Sequence, residues 1–102
     1  MSEPQISPQL EQADDGRLVL SGELSMATVP TLLAQGLHSA EAAEVRVDLQ
    51  GVTRADSAGV ALLIEWQRAA RRQQRRLRFQ NIPPQMLAIA RLCGVDELLA
   101  LN

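Results

Sequence analysis

The sequence predicts an α/β domain: a mixed four-stranded sheet, mostly parallel, with an antiparallel N-terminal edge strand and helices largely on one face. Three observations lead there. Short runs with strand character or strict alternation occur at Leu18–Leu20, Val45–Gln50 and Leu77–Ile82. Between and after them, apolar residues recur at helical spacing. Strand and helix therefore alternate, and right-handed crossovers through the first two helices set the strands at 18, 45 and 77 parallel to one another.

Each element follows in turn. Pro4 and Pro8 confine any strand within Ile6–Gln12 to a sheet edge, where a missing amide is tolerated. Asp14-Asp15-Gly16 supplies a hairpin turn into the Leu18 strand, which Ser21-Gly22-Glu23-Leu24 completes or bends. Thr28-Val29-Pro30 opens the first helix, threonine as the cap and proline in the first turn, with Val29, Leu32, Leu33, Leu37 and Ala40 as its apolar stripe. After the Val45 strand a second helix carries Gly59, Leu62, Leu63, Trp66 and Ala70 inward. Pro83-Pro84 ends the last strand and starts a third helix, buried through Met86, Leu87, Ala90 and Leu92 or Cys93. Gly94 stops that helix before a short tail, Asp96–Leu101.

A chain of 102 residues suits one domain, 1–102, with a modest core. It contains no long apolar run and no secretory signal pattern, and its single cysteine, Cys93, forms no internal disulfide, so a soluble, cytoplasmic protein is expected. Charge is divided unevenly. Residues 1–65 hold ten acids against three arginines, and residues 66–102 seven arginines against two acids. Every basic side chain is arginine, suited to bidentate contacts with carboxylate or phosphate. With one tryptophan, one phenylalanine and no tyrosine, the basic part is a poor stacking platform for single-stranded nucleic acid. Arg68, Arg72 and Arg75 follow Glu65 along the second helix, either as a solvated face or as a contact for an acidic partner.

The most informative segment is the junction Asp56-Ser57-Ala58-Gly59, where a strand passes directly into a helix. Ser57 is placed as the helix cap, its hydroxyl accepting from first-turn amides, and Asp56 as a turn-holding acid or a contact residue. Small and apolar neighbours, Val60, Ala61 and Ile64, are the expected contact surface. With one histidine, His38, and one cysteine, neither a metal cluster nor a nucleophile triad assembles, and no phosphate-cradling glycine loop with lysine is present. No enzyme and no cofactor are predicted.

The stretches LVLSGELS, VRVDLQGVTRADSAGVALL and IPPQMLAIARLCGVDELL carry a resemblance to the STAS family, named for sulfate transporters and anti-sigma factor antagonists. Within it the chain is most similar to the stand-alone STAS proteins of the Mla phospholipid-transport system, which bind a cytoplasmic ABC ATPase subunit and support its assembly and activity. The resemblance implies a partner-binding site at Asp56, Ser57, Ala58, Gly59, Val60, Ala61 and Ile64, and a place at the inner face of the membrane through that partner. It also leaves open an anti-sigma factor antagonist that binds a serine kinase and is phosphorylated on Ser57. Asp48 matches a common acidic position at the strand end. Ala58 departs from the serine of many antagonists, which leaves a single hydroxyl in the turn.

Overall fold

The computed structural model describes residues 8–14, 16–35 and 44–99. Two strands, β1 (Gln9–Gln12) and β2 (Leu18–Leu24), form an antiparallel hairpin closed by a bond from the Ala13 amide to the Arg17 carbonyl at 2.7 Å. Gly16 makes this closure possible, since its φ of 85° lies where a side chain is costly. Then come α1 (Val29–Gln35), β3 (Glu44–Ala55), α2 (Ser57–Arg72), β4 (Arg76–Gln80) and α3 (Pro84–Leu92). The sheet order is β1-β2-β3-β4, with β2, β3 and β4 parallel, as predicted.

Strand alternation divides the sheet into two faces. Leu18, Leu20, Val45, Val47, Leu49 and Leu77 are buried beneath the helices, where they join Leu62, Leu63 and Trp66 of α2. α2 is the central helix, touching α1, α3, β3 and β4. On the opposite face of β3 sits Asp48, only 2% exposed. Its carboxylate accepts from Gln50 N at 2.8 Å, Asn81 Nδ2 at 3.0 Å and Arg17 Nη1 at 3.0 Å. These donors explain the burial. Between Val19↔Asp48 and Ser21↔Gly51 the pairing admits one extra residue of β3, and Asp48 catches the Gln50 amide at that irregularity. Asn81, with φ of 55°, leaves β4 directly after Gln80, the residue paired with Asp48, and is bonded there.

β3 runs past the alternating residues Val45–Gln50 to Ala55, directly before Asp56 as expected, because its second half still pairs with β2 after the irregularity. Several other expectations need correcting. Leu92 is 88% exposed and Cys93 is exposed, so neither belongs to the buried side of α3, which consists of Met86 and Ala90 with Leu87 half-buried. Leu92 stands two residues past Ala90, about 200° around the helix and so nearly opposite it. Cys93 is the C-cap, where Gly94 at φ 73° turns the chain and Val95 N bonds back to Ala90 O at 2.9 Å. Leu99, fully buried, closes this end of the core. Leu33 is exposed to 42% and not part of a closed stripe. The Thr28 hydroxyl is spent on the loop before α1, accepting from Ser25 N and donating to Glu23 O, and not on capping that helix. Ile6, Asp15, Leu37, His38, Ala40 and Leu101 lie outside the described residues.

Candidate functional site

The junction between β3 and α2 lies at the carboxyl ends of two parallel strands, β2 and β3. Its backbone is fixed by the sheet: Asp56 N donates to Leu24 O at 3.0 Å, which keeps residue 56 extended, with φ −115° and ψ −165°. Helical geometry therefore begins one residue later. Asp56 is the N-cap, its Oδ1 accepting from Ala58 N at 2.8 Å, and Ser57 is the first residue of the helix. The expected cap at Ser57 is thus corrected by one position. Both residue types cap well, and the strand's last hydrogen bond decides between them.

Relieved of capping, Ser57 is exposed and its hydroxyl has no hydrogen bond among the described residues. Asp56 and Ala61 are exposed, and Ala58 and Ile64 are half-buried. Ser57, Ala61, Ile64 and Arg68 follow at spacings of three and four, so they share one face of α2. Gly59 and Val60 do not belong to it. Val60 is 3% exposed and packs in the core. Gly59 faces Leu24, and a Cβ there would stand 3.0 Å from Leu24 Cβ and 3.4 Å from Ala55 Cβ. The sequence-predicted surface thus reduces to Asp56, Ser57, Ala58, Ala61 and Ile64.

The close approach at Gly59 makes a prediction. Gly59→Val adds two methyl groups beyond the Cβ against Leu24, and overpacking of this kind costs about 1–3 kcal/mol, measurable by urea denaturation. A Gly59→Val protein as stable as the parent would show that α2 does not rest on Leu24.

Residues that sequence reasoning passed over complete the neighbourhood. Ser25, Arg54 and Gln85, together with Glu23 and the predicted Asp56, line a cleft of about 340 Å³ beside the cap. Met26, in the loop between β2 and α1, is 80% exposed. Its signal was present: a large apolar residue between Ser25 and Ala27, inside a turn where it has no helical or strand partner.

The site contains an exposed hydroxyl, an acid tied to the backbone and small apolar side chains. No group of three His, Cys, Asp or Glu side chains able to hold a metal occurs among the described residues, and no helix there is long and apolar enough to cross a membrane.

The fold agrees with comparisons against known proteins. The family model described as Mlab, STAS domain matches residues 9–100, and the chain belongs to the STAS domain family. Among solved structures it is similar to the anti-sigma factor antagonist SpoIIAA in its unphosphorylated form, with a TM-score of 0.68 at 20% identity, covering 89% of this chain and 84% of that one. It is also similar to an anti-sigma factor antagonist from Mycobacterium paratuberculosis, with a TM-score of 0.59 at 20% identity, covering 97% and 87% of the two chains. No curated protein sequence matches it.

Proposed function

We propose that this chain is a non-catalytic, cytoplasmic STAS protein that docks on the ATPase subunit of an ABC transporter for phospholipids and supports its assembly and activity. The contact is the Asp56-Ser57 turn with the Ala61 and Ile64 face of α2, extended by Met26. One observation carries the reading: the Ser57 hydroxyl is exposed and unbonded, beside side chains small enough to let another backbone approach. The match to the family model named for the Mla type supports this choice of partner.

Co-purification with such an ATPase tests it. Ser57→Arg and Ala61→Arg are each expected to abolish capture while changing stability by less than about 1 kcal/mol, since both positions are exposed. Capture unaffected by both substitutions would sink the proposal. Asp56→Arg is a weaker probe, because it also removes the cap, worth about 1 kcal/mol.

A second reading, an anti-sigma factor antagonist controlled by phosphorylation of Ser57, is favoured by the same free hydroxyl and by the likeness to two antagonist structures. A phosphate would bring about −1.5 to −2 of charge beside the Asp56 carboxylate. It would also compete with Asp56 for the Ala58 amide and loosen the cap. Intact mass after incubation with a serine kinase and ATP separates the readings: no phosphate on Ser57 counts against the second.

A further inference from the structure

The opposite end of α2 is built differently. Arg71 in its last turn, Arg75 in the connection and Arg76 at the start of β4 line a groove of about 530 Å³ with Gln67, Gln74, Leu77 and Glu44. The turn returns tightly: Gln74 has φ of 57°, and Arg75 N bonds back to Ala70 O at 2.8 Å, bringing the arginines to one mouth. Arg75 is thus off the helix and half-buried, not on the exposed helical face expected for it.

The guanidinium groups of Arg71, Arg75 and Arg76 have no carboxylate partner among the described residues. Arg68, one turn earlier, is satisfied by Glu65 at 3.1 Å. Glu44 stands at the groove but only 3.9 Å from Arg78, outside the groove lining. Three gathered cations facing one acid repel each other, and a concave wall of net positive charge concentrates the field toward an incoming anion. Behind the lining, Gln67 Oε1 is buried without a hydrogen-bond partner among the described residues.

We propose that this groove docks an acidic segment of a partner protein, rich in aspartate or glutamate. Planar guanidinium forks match successive carboxylates. A membrane fits less well, because the groove is concave and has as its apolar residue Leu77, which is buried and does not project. The groove lies about 20 Å along α2 from Ser57. The proposal is therefore independent of the partner read at the other end.

Fluorescence anisotropy of labelled octaglutamate with the full chain tests it. Saturable binding that weakens with salt is expected, although the protein carries a net charge of −2. The double variant Arg71→Gln/Arg76→Gln should bind about tenfold more weakly, and Arg68→Gln/Arg91→Gln, with the same change in net charge, within about twofold of the parent. Ser57→Arg should bind as the parent does. Melting curves of both double variants should match the parent, and Arg71→Lys, which keeps the charge but loses the fork, should fall between. Absence of saturable binding, or equal weakening in the two double variants, overturns the proposal. So does displacement of octaglutamate by millimolar inorganic phosphate, or binding of phosphatidylglycerol vesicles in its place.

Discussion

Asp48→Ala is expected to destabilise the domain by about 3 kcal/mol, because three donors lose an acceptor in a place that water reaches poorly. The Gln50 amide, freed from the sheet by the β3 irregularity, is the least replaceable of them. Arg17 is one-third exposed and can return to solvent, so its ion pair contributes less. For a domain of this size, each kcal/mol moves the melting temperature by about 4–8 °C, so a loss of more than 10 °C should appear by calorimetry. Asp48→Asn keeps an acceptor for Gln50 or Asn81 and should fall between. A melting temperature unchanged in Asp48→Ala would mean that the carboxylate does not hold the irregularity.

Trp66→Ala should cost about 3–5 kcal/mol, the range for removing a large buried aromatic side chain. Trp66 is 3% exposed and fills the space between α2 and the sheet. The informative comparison is Trp66→Phe. Indole Nε1 is buried and has no hydrogen-bond partner among the described residues, so phenylalanine removes an unpaired donor together with some packing. The two effects oppose each other, and the net cost should stay below about 1.5 kcal/mol. Urea denaturation of both variants, followed by circular dichroism because the sole tryptophan is lost, gives the comparison. A Trp66→Phe protein as damaged as Trp66→Ala would point to a bond made by the indole.

The strands were legible because the buried residues of β2 and the first half of β3 follow a period of two and Asp14 and Gly16 mark the turn, and their directions were legible because the helical crossovers between them are right-handed. The second half of β3 shows no such period. From Gly51 to Arg54 one neighbour, β2, pairs with it, the residues are partly or fully exposed, and no alternation is imposed on them. The site was legible as a place, since an extended run gives way to helical spacing after Asp56. Its division of labour was not, because a hydrogen bond to Leu24, distant in sequence, chooses which of two adjacent capping residues stays extended. Val60 shows the same limit. An apolar residue in the first turn is equally compatible with core and with contact surface until the helix is rotated against the sheet. Of the arginine series Arg68, Arg72 and Arg75, only Arg75 reaches the groove, where Arg71 and Arg76 join it, and that convergence depends on the turn at Gln74, which no spacing rule encodes.

The sheet ends on both sides in short outer strands, four residues in β1 and five in β4. β1 carries Glu11, and β4 carries the exposed Arg76 and Arg78. An outer strand that offers few free amides and a charged side chain makes a poor template for another sheet to extend. Chains produced without a partner should therefore resist edge-to-edge aggregation, and contacts made through loops and helix surfaces do not compete with strand addition.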